Sequence, residues 1–304
     1  MPLKWDNMKK SLLFLIMLLM CMMVQSQEEN PKELNRPKVA LVLGGGGAKG
    51  AATVGALKYV EKSGVPIDMI VGTSIGSIVG GLYSMGYRSD QLDSLFRTQQ
   101  WINMFAGSLM GDSIVRVFRD NLGGEYTQVD FDSLPIPFRC VAVDINKMQE
   151  VVLNQGDLAQ AMRASMAIPI VFKPVKLNGM QLVDGGMLNN LPVDVAREMG
   201  ADYVIAIDLT VNKHDDKNEE DEEMLDSVRQ LNLLSLLSWT LQRPDQKKYQ
   251  RNRADADIYI NPKLKGYGAQ DFSRTKIVQM IALGEKAGKS SLKAMKKLKK
   301  RLGN

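Results

Sequence analysis

Two glycine-rich turns, each closing a short apolar run and opening a helical pattern, constrain this chain more than any other feature. Residues 38–43 form a β-branched and apolar strand candidate, followed by Gly44-Gly45-Gly46-Gly47 and a helix expected over about residues 49–62. Gly64-Val65-Pro66 breaks that helix, residues 67–71 offer a second strand, and another helix begins directly after Ser74. Consecutive strand-to-helix units separated by so little chain lead to an α/β sheet with parallel strands. Further strands are expected at 138–144, 150–153, 181–183, 203–208 and 257–260, and helices near 158–166, 193–199, 224–240 and 274–286. The stretch between Gly86 and Leu134 is less regular. Its Leu109, Met110 and Phe118 are candidates for the wall of an apolar pocket or for further core.

The N-terminus has a different character. Met8-Lys9-Lys10 precede thirteen residues of unbroken apolar character, 12–24, and the polar pair Gln25-Ser26. A helix crossing a bilayer needs roughly 20 such residues, whereas this length and its basic flank match a secretory leader. Residues 1–26 are therefore read as a signal peptide, with an uncleaved anchor or a lipoprotein attached at Cys21 as the alternatives. Export is expected, to a bacterial periplasm or to a peripheral position on a membrane. Without the leader, Cys140 is the remaining one of 2 cysteines, so no intramolecular disulfide can form. Its apolar neighbours mark it as a small buried hydrophobe.

The net charge of +5 is unevenly placed. Residues 286–301 carry eight basic side chains and no acidic one, while 215–223 is strongly acidic. No nucleic-acid-binding motif accompanies the basic end, so it is read as a candidate contact for an anionic membrane and not as a nucleic-acid groove. Residues 289–304 form a basic tail or a short amphipathic helix, with Leu292, Met295 and Leu298 at helical spacing. Residues 211–288 continue the α/β domain after a charged loop that holds the single histidine, His214.

Three glycine sites carry candidate chemistry. Gly72-Thr73-Ser74-Ile75-Gly76 has the spacing of a nucleophile elbow, in which Gly72 and Gly76 permit a sharp turn that presents the Ser74 hydroxyl. Gly45-x-Gly47-x-x-Gly50 satisfies the dinucleotide fingerprint on its face. The same turn also suits acyl transfer, since backbone N–H groups at a helix start can converge on an oxyanion. Lys49 either fixes that loop, attracts an anionic substrate or is simply exposed. Asp184-Gly185-Gly186 ends a strand with an uncrowded carboxylate, a candidate general base for Ser74 or an ordinary turn.

In this order the motifs resemble the patatin-like phospholipase family, particularly its bacterial members related to the neuropathy-target-esterase branch. The resemblance covers roughly residues 38–210 and includes Gly45-Gly46-Gly47-Ala48-Lys49-Gly50, Gly72-Thr73-Ser74-Ile75-Gly76, Ala164-Ser165-Met166-Ala167-Ile168-Pro169 and Asp184-Gly185-Gly186. It implies a three-layer α/β/α hydrolase with a mostly parallel central sheet. It implies a Ser74-Asp184 dyad, an oxyanion hole from the N–H groups of Gly45, Gly46 and Gly47, an acyl-enzyme intermediate, and neither cofactor nor metal. Lipid esters are the implied substrates, with phospholipids or lysophospholipids first. A triad through His214 keeps the chain order Ser, Asp, His, but the polar loop around His214 suits a surface role better. A nucleotide-cofactor enzyme using Gly45 to Gly50 and a catalytically silent lipid-binding protein are the competing classes.

Overall fold

The computed structural model describes residues 36–98, 127–169, 171–210 and 246–303. The leader at 1–26, Leu109, Met110, Phe118, His214 and the helix expected at 224–240 lie outside the described residues.

Strand β1 (Val39–Leu43) leads through a 3-10 turn at Gly47–Lys49 into helix α1 (Gly50–Ser63). Strand β2 (Met69–Thr73) leads into α2 (Ile75–Ser84), which is followed by α3 (Ser89–Arg97). Next come β3 (Val129–Asp130), β4 (Phe138–Asp144), β5 (Gln149–Leu153), β6 (Gln155–Gly156) and α4 (Leu158–Ser165). The chain continues with β7 (Val175–Leu177), β8 (Met180–Asp184), α5 (Val193–Glu198) and β9 (Tyr203–Ile207). It ends with α6 (Gln246–Asp255), β10 (Ile258–Ile260) and α7 (Arg274–Arg301).

The main sheet is largely parallel and mixed, in the order β10-β9-β1-β2-β4-β8-β7 with β5 also on β4. The pairs from β10 to β4 are parallel, and β5, β8 and β7 add antiparallel strands at one side. All five residues of β1 are buried, the pattern of a strand covered on both faces. Val39, Leu41 and Leu43 face one apolar layer with α1, α2, α4 and α7, while Ala40 and Val42 face a second layer with α5. This is the three-layer α/β/α hydrolase fold.

Register explains how distant chain segments meet. Thr73 of β2 pairs with Val141, and Asp184 of β8 pairs with the next residue, Ala142. Strand β5 pairs with both, through Val152 and Val151, and so occupies the opposite edge of β4. Consequently β2 and β8 approach end to end along one edge, and their C-terminal residues are neighbours.

The C-terminal helix differs from expectation. It runs unbroken from Arg274 to Arg301, through Gly284 and Gly288, where a helix end near 286 and a separate segment at 289–304 were expected. These glycines permit close packing instead of ending the helix: a β-carbon at Gly284 would lie 1.9 Å from the Ala52 carbonyl oxygen, and one at Gly288 would lie 2.9 Å from that of Ala56. Met295 and Leu298 are buried in the core, so the apolar face of this segment covers protein. No described helix is long and apolar enough to cross a membrane.

Candidate active site

Ser74 stands between β2 and α2 with φ 55° and ψ −125°, outside the regions that L-residues ordinarily adopt. The flanking glycines allow this turn to sit against the sheet. A β-carbon on Gly72 would come within 2.4 Å of the Gly76 carbonyl oxygen, and one on Gly76 within 2.2 Å of that of Leu43. The buried Ser165 holds the turn from below: its hydroxyl accepts the Ser74 N–H at 2.9 Å and donates to the Val141 carbonyl at 2.6 Å. Thr73 donates its hydroxyl to the Asn189 carbonyl at 2.8 Å.

Asp184 lies at the end of β8 and is 1% exposed. Its Oδ2 accepts the Ser74 hydroxyl at 2.7 Å, and its Oδ1 accepts the Gly186 N–H at 2.8 Å. Burial pushes the carboxyl up to about 6, although the hydrogen bonds from Ser74 and Gly186 oppose the shift. Desolvation penalises the anion more than two donors stabilise it. Gly185 has no room for a side chain, since a β-carbon would lie 2.2 Å from the Val141 carbonyl oxygen.

The first glycine loop sits directly beside Ser74. A β-carbon at Gly45 would lie 3.0 Å from Ser74 Cβ and 2.3 Å from Asn190 Oδ1. Gly44 N–H donates to Ile207 at 2.9 Å, Gly45 N–H to the Asn190 carbonyl at 3.2 Å, and Ala48 N–H to Ala269 at 2.8 Å. Asn190 Nδ2 in turn donates to the Gly45 carbonyl at 3.4 Å. The N–H of Gly45 is therefore engaged within the protein, whereas those of Gly46 and Gly47 have no partner among the described residues. Gly50 packs against Ile75, with 2.2 Å between its virtual β-carbon and Cγ1.

Lys49 is 4% exposed, which removes the simply exposed lysine from its three readings. It acts electrostatically on Asp271, on the segment preceding α7. Burial works against an ionised Asp271, but hydrogen bonds from Lys276 and Gly268, together with the charges of Lys276 and Lys49, hold its carboxyl below its ordinary value. Lys49 thus lies near Asp271, on the same segment whose Ala269 carbonyl accepts the Ala48 N–H at 2.8 Å.

The structure brings together Ser74, Asp184, the glycine loop and the Gly185-Gly186 turn. Asn190 was not singled out in the sequence, and Ser165 appeared there only as part of a longer block. The signals were available: Asn189-Asn190 follows the Asp184 turn closely, and Ser165 precedes the strand that ends in Asp184. Among the described residues no group of three or more His, Cys, Asp or Glu side chains is placed to hold a metal ion. A cavity of about 720 Å³ is lined by polar residues including Gln128, Asp130 and Asp157, and contains neither Ser74 nor Asp184.

Residues 41–197 match the family model described as patatin-like phospholipase. The chain is 38% identical over 191 residues to patatin-like phospholipase domain-containing protein 6 of Mus musculus, an alignment covering 56% of this chain and 13% of that protein. It is 37% identical over 182 residues to an NTE family protein of Mycobacterium bovis, covering 57% of this chain and 49% of the relative. The similarity therefore extends across mammalian and mycobacterial proteins, and the chain spans only a fraction of the length of these relatives. Among solved structures, VipD from Legionella pneumophila aligns with TM-score 0.49 and 14% identity over 86% of this chain and 67% of that one.

Proposed function

The chain belongs to the patatin-like phospholipase family, and from that premise we propose that it is a lipid acyl hydrolase in which Ser74 is the nucleophile and Asp184 its general base. The observation that carries this reading is the 2.7 Å hydrogen bond from Ser74 Oγ to Asp184 Oδ2, made to a carboxylate whose basicity burial has raised to about 6. A free aspartate, with pKa about 3.9, is a weak base at neutral pH.

In the proposed reaction Asp184 Oδ2 takes the hydroxyl proton as Ser74 Oγ bonds to the ester carbonyl carbon. The resulting oxyanion is held by the backbone N–H groups of Gly46 and Gly47. Collapse breaks the ester C–O bond, and the leaving alcohol receives the proton from Asp184. Water then attacks the acyl-Ser74 ester with Asp184 again accepting its proton, and release of the fatty acid restores the serine hydroxyl. Gly45 has a different part: it lets Asn190 and Ser74 approach, and its own N–H is used to fasten the loop. That packing favours acyl transfer over a dinucleotide at this turn, because the space its missing side chain leaves is occupied by the protein's own Asn190.

The substrates in this reading are phospholipids or lysophospholipids, as a phospholipase A or lysophospholipase, in an exported protein whose leader is residues 1–26. A serine-directed fluorophosphonate labels the wild type but neither Ser74→Ala nor Asp184→Asn, and fatty acid release from a phospholipid panel follows the same pattern. His214→Ala retains turnover, because the dyad does not use it. Labelling that survives Ser74→Ala, or no release from any ester, contradicts the reading.

A further inference from the structure

Among the described residues, two large hydrophobic side chains are exposed, and Met148, at 53%, is the more exposed. It also has φ +50°, a conformation that disfavours a bulky L-residue. Backbone strain and apolar exposure at one residue are both unfavourable to the isolated protein. A lone exposed apolar residue is ordinary, but its coincidence with a strained backbone at the same residue is what a contact made elsewhere would explain.

The position of Met148 gives that contact a direction. Strand β4 continues past the level of Asp184 to Asp144, turns through Ile145 to Met148, and returns as β5. Beside it, β7 turns through Asn178, with φ 49°, and Gly179, with φ 77°, into β8. The N–H of Ile145 donates to the Gln181 carbonyl at 2.9 Å, tying the two tips together. Because β8 rises four residues from Asp184 back to Met180, at about 3.3 Å per residue the tips stand on the order of 13 Å above the dyad. They project from the same sheet edge on which Ser74 sits.

Their chemistry is cationic and apolar. Lys147 and Lys176 are exposed and Ile145 and Leu177 are half-buried at the bases of the turns, while the nearest carboxylates are turned inward or paired: the buried Asp144 accepts the N–H groups of Asn146 and Gln181, and Glu150 is bridged by Lys248. The other concentration of lysines lies elsewhere. Helix α7 runs parallel to α1, with Gly284 against Ala52, Gly288 against Ala56 and Lys299 against Gly64. The basic half of α7 is therefore at the end of α1 remote from the glycine loop, and its apolar side is buried.

We infer that the paired hairpin tips are the surface by which this protein docks on an anionic lipid bilayer, with Met148 entering the acyl boundary and Lys147 and Lys176 meeting lipid phosphates. The inference rests on the lipid hydrolase reading and deepens it: docking by the tips turns the edge bearing Ser74 toward the membrane. Docking by the basic half of α7 would turn it away. Met148 beside Lys147 at a protruding turn, with Lys176 on the adjoining hairpin, joins an apolar side chain to positive charge, the pairing that favours an anionic lipid surface.

The test uses the full chain carrying Ser74→Ala, so that vesicles stay intact and binding is read apart from turnover. Co-sedimentation is measured with vesicles of phosphatidylcholine containing phosphatidylglycerol, and with phosphatidylcholine alone. The protein is expected to bind the anionic vesicles, and Lys147→Glu with Lys176→Glu lowers the partition coefficient by about tenfold or more. Met148→Ser lowers it on both kinds of vesicle, while Lys293→Glu with Lys297→Glu on α7 changes it by less than about twofold. Unchanged melting midpoints exclude unfolding as the cause. Undiminished binding by the hairpin variants, loss of binding through the α7 variants alone, or no vesicle binding by the parent overturns the inference. Absence of ester turnover in the protein with Ser74 intact would instead overturn the hydrolase reading and leave the partition result standing.

Discussion

The hydroxyl of Ser165 accepts the backbone N–H of Ser74 at 2.9 Å while donating to the carbonyl of Val141 at 2.6 Å. One buried side chain thus ties the strained turn to the strand whose next residue, Ala142, faces Asp184. Ser165→Ala leaves a buried donor and a buried acceptor unsatisfied, each costing about 1–3 kcal/mol. The melting midpoint falls, and kcat on a soluble ester drops by about 10-fold or more with little change in KM. Ser165→Cys, which restores a weak donor and acceptor, recovers part of kcat. Equal activity of the alanine variant and the wild type would show that the turn holds itself.

Asp184 makes a prediction about stability as well as rate. Its folded-state pKa of about 6 lies above the unfolded value, so folding favours the protonated carboxyl. Stability contributed by that proton is fully present below about pH 3.9 and is lost as pH rises through about 6. Asp184→Asn, which keeps a hydrogen-bonding group of similar shape, is therefore more stable than wild type at pH 7.5. The expected gain is on the order of 2 kcal/mol and vanishes near pH 4. Denaturant melts at the two pH values measure it. An asparagine variant less stable than wild type at pH 7.5 would show that Asp184 is stabilised as an anion.

Asn190 holds the glycine loop from two sides, through its carbonyl to Gly45 N–H and its carboxamide to the Gly45 carbonyl. Asn190→Ala keeps the first contact and removes the second. The loop N–H groups then lose their fixed aim at the oxyanion, and kcat falls by about 10–100-fold while KM for a soluble ester stays within about twofold. A rise in KM with kcat unchanged would assign Asn190 to substrate binding instead.

Gly284→Ala places a β-carbon 1.9 Å from the Ala52 carbonyl oxygen. The two helices must separate, at a cost of about 1–3 kcal/mol. Lys293→Ala, on the exposed side of the same helix, changes stability by less than about 0.5 kcal/mol. Thermal melts of the two variants distinguish a packed α7 from a loosely attached tail, for which both substitutions would be neutral.

The sequence was most informative where one local rule decided the outcome. Continuous apolar runs at β1 and β2, each closed by glycine, specified buried parallel strands, and the bounds of the strand at 138–144 were legible to the residue. The C-terminal helix was misread because Gly288 looks like a helix end in one dimension. Only the facing Ala56 shows why a glycine is needed inside the helix. Ser74, Asp184 and the glycine loop were visible as separate motifs, but their meeting depends on β2 and β8 sharing an edge of β4. Strand pairing of that kind has no local signature. For the same reason the sequence left three readings of Lys49 open, since Asp271 lies far along the chain, and the engagement of Gly45 N–H by Asn190 could not be foreseen.

The central claim is that Asp184, in its ionised form, removes the proton from Ser74. The most direct measurement is the pH dependence of the rate at which a chromogenic ester acylates the enzyme in a single turnover. The wild type is predicted to show a rate that falls below an inflection near pH 6, the value to which burial raises Asp184, with Asp184→Asn slower by about 10³-fold or more and without that inflection. A wild-type rate independent of pH between 5 and 7, or an asparagine variant that acylates at the wild-type rate, would contradict it.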